Sequence, residues 1–353
     1  MQRINWIDWA KAWCMTVVVF DHTPHDGSSF LLQFLAGTNL ATFFFISGYL
    51  KKPSISHKES FKKYAYGLVV PYFIYNAIFY PYWLAKFYIE HGEIALTDAI
   101  KPIIGTLLGQ LDSSFSSSLN GVTWFLVSLL LMHIITDYCN RQKNRILIML
   151  TISLIAMSLY GANKYYHFAP YLTFHGLVRC ISFFFIGNLM RQCQWLEEVR
   201  IKRELAVGII ASTISLIIFY KHITENNFII HIILFFVVNI ISIFAILCIC
   251  RSANNIHSRV IYWISIGTMM IFGLHRILLG ILNWGFEKTF HLNNIIYTIN
   301  EAVIIALGAE VIIIPLIIYT YNKFPILLGH KKYQKRFDDS KYLCNFANKK
   351  SWT

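Results

Sequence analysis

The sequence predicts an all-α, polytopic integral membrane protein with about ten transmembrane helices and both termini in the cytoplasm. Its 353 residues are 56% hydrophobic and only 14% charged, whereas soluble domains carry roughly a quarter charged residues. Apolar runs long enough to cross a bilayer core of about 30 Å recur along nearly the whole chain. Basic residues cluster between these runs, which is typical of a topology signal and of contact with anionic lipids, so no nucleic-acid partner is expected.

Ten apolar segments carry this prediction, each near the roughly 20 residues that a transmembrane helix needs. In chain order they are 9–27, 34–50, 65–88, 122–139, 146–162, 172–190, 205–221, 228–250, 260–282 and 295–321. They define a membrane domain over 1–322. Residues 323–353 form a basic tail, which is expected to lie on the inner leaflet.

The distribution of lysine and arginine indicates the orientation. Of the 31 basic residues, 23 fall in the alternate segments that include both termini, and 6 fall in the other set. Because cytoplasmic loops are enriched in lysine and arginine, both termini are expected in the cytoplasm. The longest outer segment is 89–121, with serines at most positions from Ser113 to Ser118. It is expected to be a lid over an external entrance or, in our favoured interpretation, a flexible connector.

Cysteine usage argues against a metal site. The seven cysteines form no CxxC pair, so neither zinc nor a disulfide framework is indicated. Four of them lie in apolar runs and are expected to be packed and reduced. These four are Cys14, Cys180, Cys248 and Cys250. We therefore predict that the protein binds no metal.

Ionisable residues in the first segment indicate a functional track. Lys11 and His22 are eleven residues apart, which is within about 20° of three whole helical turns and about 16 Å along the axis. Both side chains should therefore project from one stripe, with Asp8 one turn before Lys11 and able to pair with it. In the functional interpretation Lys11 binds an anionic donor and His22 transfers a proton. In the structural one Lys11 snorkels to headgroups and His22 caps the helix.

Three further features are candidates for packing or anchoring. The second segment ends with the small pair Ser47-Gly48, which allows close helix approach. Lys62 and Lys63 precede the third segment at its inner end. Trp124 opens the fourth segment, as an element of an aromatic belt would.

Two later segments also carry ionisable groups. His175 and Arg179 lie one turn apart in the sixth segment, and the buried arginine should need an anionic partner. That partner is expected to be a ligand phosphate or a carboxylate such as Glu301 or Glu310. His275 of the ninth segment is interpreted as an interhelical hydrogen-bonding residue or as a base.

Taken together, these residues resemble the acyltransferase-3 family of integral-membrane acyltransferases, particularly its fucose 4-O-acetylase-like branch. The family pattern opens with an aspartate, a basic residue three positions later and a histidine eleven after that. Here these are Asp8, Lys11 and His22, within WIDWAK and VVVFDH. FFFISGYL matches the second-segment signature, and weaker matches follow in order at KKYAYGLVVPY, TWFLVSLL, FFFIGNLM and IFGLH.

The resemblance implies an O-acyltransferase of the cell envelope, in the bacterial cytoplasmic membrane, that modifies polysaccharides. The acetyl donor would be cytoplasmic acetyl-CoA, used as a co-substrate, and the acceptor a hydroxyl of a cell-surface or lipid-linked glycan. Lys11, Lys62, Lys63 and Arg179 are expected to meet the CoA phosphates. His22 is expected to be the general base, with an acetyl-histidine intermediate as the alternative.

The remaining candidate residues are expected to support the site or bind the acceptor. They are Asp8, Ser47, Gly48, Trp124, His175 and His275. Ser47 and Arg179 are also candidate oxyanion donors. The rival functions are a non-enzymatic transporter or flippase of a lipid-linked saccharide, and an inactive relative that acts as a scaffold.

Overall fold

A computed structural model describes residues 4–26, 30–51, 56–166, 172–193, 203–225, 227–291 and 295–329. Within these ranges the chain is α-helical, with one isolated β-bridge between His25 and Tyr297. The helices are α1 (Asn5–Asp21), α2 (Phe30–Tyr49), α3 (His57–Tyr64), α4 (Val70–His91), α5 (Leu96–Leu107), α6 (Trp124–Asn140), α7 (Arg145–Tyr166), α8 (Leu172–Gln192), α9 (Glu204–Thr224), α10 (Phe228–Ser252), α11 (Arg259–Ile266), α12 (Thr268–Phe290) and α13 (Ile299–Lys323). A π-helical turn at Ala65–Val69 joins α3 to α4.

Among the described residues, eight helices are long and apolar enough to cross a membrane. They are α2, α6, α7, α8, α9, α10, α12 and α13. The first and third predicted segments are helical as well, since α1 and α4 occupy them. The chain is therefore a polytopic all-α membrane protein, as the composition predicted.

The first helix is shorter than predicted. It ends at Asp21 instead of continuing to residue 27. Pro24 explains this difference, because the residue before a proline is driven out of the helical conformation. His22 consequently lies at the end of a helix, where its side chain is accessible.

The ninth predicted segment, 260–282, is two helices instead of one. The chain breaks at Gly267, between α11 and α12, and α12 extends to Phe290. Gly267 packs directly on Ile317 of α13, and a side chain at this glycine would overlap Ile317. The break thus lets α13 approach the joint between the two helices.

Helices α2 and α8 run parallel and approach each other closely. A Cβ at Gly48 would overlap the backbone carbonyl of Phe184, and a Cβ at Gly187 would overlap that of Phe45. Each helix therefore contributes one glycine that lets the other backbone approach, which is the usual device for helix packing in lipid. The predicted packing role of Gly48 is confirmed.

The outer segment 89–121 is not the flexible connector that we expected. It contains α5, and Gln110, Asn120 and Ser116 within it are fully buried. Tyr72 of α4 donates a hydrogen bond to the carbonyl of Thr106. The segment is therefore folded back into the bundle and hydrogen-bonded there.

Segments predicted to be cytoplasmic meet at one end of the bundle. Trp9 near the start of α1 donates to the carbonyl of Ile256, which follows α10 (2.9 Å). Arg251 at the end of α10 pairs with Glu204 at the start of α9 (2.9 Å). At the opposite end, the amide of Tyr297 donates to Pro24 (3.0 Å). This arrangement agrees with the alternation of basic residues along the sequence.

The described part of the predicted tail packs against the bundle. A short 3-10 turn at Pro325–Leu328 follows α13, and Leu328 is buried. Tyr75 of α4 donates to the carbonyl of Leu327. The rest of the predicted tail, 330–353, lies outside the described residues.

The four cysteines of the apolar runs behave as predicted. Cys14, Cys180, Cys248 and Cys250 are all buried and reduced.

Candidate active site

Two histidines from distant parts of the sequence meet near the outer end of the bundle. His22 follows the last turn of α1 and keeps right-handed backbone angles (φ −94°, ψ −3°). Its ring lies edge-on to that of His275 in α12, with centroids 5.0 Å apart and planes inclined by 73°. His275 is fully buried, whereas His22 is exposed. The ring of His275 is therefore enclosed by the bundle, whereas the ring of His22 is accessible.

Backbone carbonyls orient both rings. Nδ1 of His22 lies 2.8 Å from the carbonyl oxygen of Val18, and Nδ1 of His275 lies 2.9 Å from that of Ile271. Because a carbonyl oxygen can only accept, each Nδ1 carries and donates the proton, and each neutral ring keeps a lone pair on Nε2. Nε2 of His275 is buried without a hydrogen-bond partner among the described residues. The exposed ring of His22 thus presents one basic nitrogen, which general-base or nucleophilic catalysis requires.

The segment before α6 completes the surroundings of the pair. Asn120 donates from Nδ2 to the carbonyl of Gly273 (3.1 Å), and its buried Oδ1 has no partner in the described part of the chain. The guanidinium of Arg276 lies 3.5 Å from the position that a Cβ at Gly121 would occupy. It is also within electrostatic range of His22. The outer site therefore combines two imidazoles, an amide oxygen and a cation.

A buried hydrogen-bond network fixes this segment to α4. Gln110 donates from Nε2 to Oδ1 of Asn76 (2.9 Å) and to Oγ1 of Thr123 (3.0 Å). Its Oε1 accepts from the backbone amide of Leu119 (3.0 Å). Networks of this kind rigidify the residues around them when every member is satisfied. Irregular backbone inside a membrane protein also requires such burial. The network thereby positions Asn120 against α12.

Lys11 lies on the same stripe of α1 as His22, because the helix is continuous between them. It is half-buried. Asp8, one turn earlier, is buried and accepts a hydrogen bond from Ser265 at 2.6 Å. The predicted pairing of Asp8 with Lys11 stays a prediction. The shared stripe places an amine roughly 16 Å inward of the imidazole.

The carboxylate partners that we expected for Arg179 are engaged elsewhere. Glu310 accepts from Thr16 of α1 at 2.8 Å, and Glu301 completes a capping box with Thr298. Arg179 instead donates to the carbonyl of Gly37 (3.3 Å) and lies 5.5 Å from the centroid of the Phe235 ring. A cation over an aromatic face is favourable inside a bundle. The prediction of a carboxylate partner was therefore wrong for the described residues.

Arg179 and the lysines of α3 do not form one binding cluster. Lys62 and Lys63 are exposed at the inner end of the bundle. Arg179 is twelve residues before Arg191 in α8, which corresponds to roughly 18 Å along the helix. Since Arg191 lies at the inner end, Arg179 belongs to the middle of the bundle.

Ser47 lies too far from His22 to stabilise an oxyanion there. Asn39 of α2 donates to the carbonyl of Cys14 of α1, so these two positions are level. Ser47 is then about 12 Å inward and His22 about 12 Å outward of that level. The Ser47 hydroxyl donates to the carbonyl of Phe43 within its own helix (2.9 Å). Its role as an oxyanion donor is therefore excluded by distance.

Trp124 and His175 make contacts between helices. The ring of Trp124 covers Gly176 of α8, where a side chain would overlap it, so this residue packs inside the bundle instead of anchoring an aromatic belt. The amide of Asn163 in α7 hydrogen-bonds to the ring of His175. Both residues therefore contribute to packing between helices.

A second polar cluster, which we did not predict, lies at the inner end. Lys51 pairs with Asp137 at 2.6 Å, and Tyr64 donates to the same carboxylate at 2.8 Å. One signal was present in the sequence: Asp137 is an acidic residue inside an apolar segment, and such residues are usually functional or paired. The Asn120 and Arg276 contacts had no comparable signal, because they depend on how distant helices meet.

Comparison with known proteins agrees with this arrangement. The sequence profile of the acyltransferase-3 family, described as an acyltransferase domain, matches residues 4–321. The match covers every described helix except the last residues of α13. No curated protein and no solved structure shows significant similarity to the chain. The chain, with its membrane-spanning helices and its histidine pair, belongs to the acyltransferase-3 family of membrane acyltransferases.

Proposed function

We propose that this protein is a membrane O-acetyltransferase that moves an acetyl group from cytoplasmic acetyl-CoA to a hydroxyl of a cell-surface or lipid-linked glycan. The observation that carries the proposal is the His22–His275 pair, whose rings lie edge-on with centroids 5.0 Å apart in a chain of an acyltransferase family. The glycan acceptor rests on the resemblance of the opening motif to the fucose 4-O-acetylase-like branch.

The acetyl group would have to travel through much of the bundle. Asp137, at the inner end of α6, and Thr123, beside the outer site, are fourteen residues apart, which corresponds to roughly 21 Å. The donor would therefore bind with its phosphates at the inner end and extend its thioester arm through the bundle, outward to the histidines. Lys11 would lie along that path, and Lys62 and Lys63 would meet the donor at its cytoplasmic start.

In the proposed reaction the acceptor oxygen attacks the thioester carbonyl carbon while Nε2 of His22 accepts the hydroxyl proton. The resulting tetrahedral intermediate carries a negative oxygen. Collapse of the intermediate breaks the C–S bond, and the imidazolium returns the proton to the leaving thiolate. The products are an acetyl ester and free CoA thiol, with no net release of protons.

His275 and Arg276 would assist this step. The ring of His275, which lies edge-on to that of His22, would hold the His22 imidazole in position for proton transfer. Arg276 would stabilise the negative oxygen of the intermediate, since a fixed cation near developing charge lowers the barrier. His275 contacts His22, and Arg276 is the next residue of α12.

The proposal is tested with purified protein in lipid nanodiscs, radiolabelled acetyl-CoA and an envelope glycan extract. The wild-type protein is expected to transfer label to glycan, and His22→Gln to lose at least roughly 100-fold in rate, because a positioned base contributes 10²–10⁴-fold. His257→Gln is the matched control, since His257 is exposed at the inner end. Size-exclusion profiles check folding.

Two results would overturn the proposal. Equal transfer by wild-type protein and His22→Gln would remove His22 from the chemistry. Movement of a lipid-linked saccharide across a bilayer, without any transfer of label, would instead identify a flippase.

A further inference from the structure

A basic cavity of about 330 Å³ opens at the inner end of the bundle, outside the histidine site. The ends of α2, α6 and α8 and the start of α7 surround it. Its charged lining consists of Lys51, Arg141, Arg145, Arg191 and Asp137. Among the described lining residues, four cations therefore face one carboxylate, and this part of the wall is electropositive.

The single carboxylate is neutralised within the wall. Asp137 pairs with Lys51 at 2.6 Å, and only 1% of the Lys51 side chain and 8% of the Asp137 side chain are exposed. Tyr64 donates a second hydrogen bond to the carboxylate. The charge of Asp137 is thus matched by that of Lys51, and the three arginines give the described lining its net positive charge.

The uncharged part of the wall also favours an anion. Gln192 donates to the side-chain oxygens of Asn140 (3.1 Å) and Asn188 (2.9 Å), and Asn140 donates to Asn188 (3.1 Å). The oxygens of the two asparagines are therefore occupied within this triad. The N–H groups of Asn140 and Asn188 that these three bonds do not use are donors that an anion can accept.

Arg145 is in an electrostatically unfavourable place for a purely structural residue. It is the first residue of α7, and the positive end of the helix dipole disfavours a cation there. Arg141 and Arg191, in contrast, lie at the ends of α6 and α8, where cations are favoured. An anion between these helices would compensate Arg145 together with the start of α7.

We propose that this cavity binds the phosphate groups at the nucleotide end of the acyl donor. Arginine matches phosphate oxygens in a bidentate manner, and three arginines suit a ligand with several phosphates. The volume is at the small end for ligand sites, so the cavity holds the phosphates while the rest of the donor lies outside it. This inference rests on the proposed acetyl-CoA-dependent function and names the residues of its donor site.

The same chemistry would also recognise the headgroup of an anionic lipid, and the experiment separates the two sources. Binding of CoA and of 3′,5′-ADP is measured by calorimetry on the full chain in nanodiscs of phosphatidylcholine alone. The same titrations are repeated in nanodiscs that contain phosphatidylglycerol. The variants are Arg145→Gln and Arg191→Gln, and Lys143→Gln is the matched control. Lys143 is an exposed cation in the same turn as Arg145 but does not line the cavity.

Each arginine variant is expected to weaken binding of CoA and of 3′,5′-ADP by about tenfold or more, as loss of one charge-assisted hydrogen bond does. Lys143→Gln should bind like the wild-type protein. Unchanged CoA affinity in both arginine variants would overturn the assignment. So would a loss of phosphatidylglycerol association with CoA binding intact, because the cavity would then be a lipid site.

The result also separates this inference from the proposed function. A protein that binds CoA through Arg145 but transfers no acetyl group would refute the proposed reaction and support the cavity. Acetyl transfer with an unchanged KM for acetyl-CoA in Arg145→Gln would refute the cavity and support the reaction.

Discussion

At the residue scale, the histidines of the site take their orientation from the turns that carry them. A catalytic imidazole is often held by a carboxylate, but Asp21 is exposed and adjoins His22 in sequence, so it points roughly 100° away around the helix. The carbonyls of Val18 and Ile271 take that place. They determine which nitrogen carries the proton in the neutral ring, and they leave the lone pair of Nε2 available.

Arg276 gives the sharpest prediction at this scale. Replacing it with glutamine should lower kcat for acetyl transfer by roughly 100-fold, because loss of one oxyanion-stabilising group typically costs 10²–10³-fold. Arg276→Lys should retain more activity than Arg276→Gln, since it preserves the charge. The measurement is steady-state transfer of labelled acetyl groups, with Lys288→Gln as the control for loss of an outer positive charge.

A structural role for Arg276 would give a different pattern. In that case the glutamine variant would unfold at a lower temperature and would lose acetyl-CoA binding together with kcat. A full kcat in Arg276→Gln would remove the residue from the mechanism.

Sequence reasoning identified His22 and His275 separately but could not pair them. The stripe that joins Lys11 to His22 follows from the period of a single helix. The contact between His22 and His275 depends on how α1 packs against α12, and no spacing in the chain encodes that. The same limit explains the Arg179 error, because Glu310 turned out to face Thr16 of α1.

At the element scale, apolar length predicted helices well and irregular segments poorly. All ten predicted segments are helical in the described residues. The break at Gly267 was missed because a glycine within an apolar run does not lower its hydropathy enough to divide it. The prediction for segment 89–121 was wrong because its fold depends on contacts with other helices. Gln110 hydrogen-bonds to Asn76 of α4 and to Thr123 at the start of α6.

The α2–α8 contact predicts a position-specific loss of stability. Gly48→Ala places a methyl group on the carbonyl of Phe184, and overpacking of this kind costs about 1–3 kcal/mol in the free energy of unfolding. Gly308→Ala is the matched control, because no atom lies within 4 Å of the added carbon. Thermal unfolding followed by tryptophan fluorescence should show a lower Tm for Gly48→Ala alone. Equal Tm values for the two variants would contradict the close contact.

The buried network predicts a coupling between segment 89–121 and the site. Gln110→Leu leaves Asn76 and Thr123 short of hydrogen bonds, which costs about 1–3 kcal/mol for each buried group left unsatisfied. Acetyl transfer should fall together with Tm, because Asn120 loses its support. Ser114→Ala, at an exposed position of the same segment, should change neither quantity. Full activity in Gln110→Leu would show that the network does not position the site.

At the scale of the whole molecule, the two polar clusters lie at opposite ends of one bundle. The Lys51–Asp137 pair and its arginines are at the end where the predicted cytoplasmic segments meet. The histidine pair is nearer the other end, by roughly 20 Å along α6. The charge bias along the sequence predicted which segments share an end, but not that those segments enclose a cavity.

The most direct test of the account uses proteoliposomes with acceptor glycan trapped inside and labelled acetyl-CoA added outside. For molecules whose Arg145 end faces outward, we expect labelled acetyl groups on the trapped glycan, and no labelling with His22→Gln. Labelling that occurs only when acetyl-CoA and glycan are on the same side of the membrane would contradict transfer through the bundle.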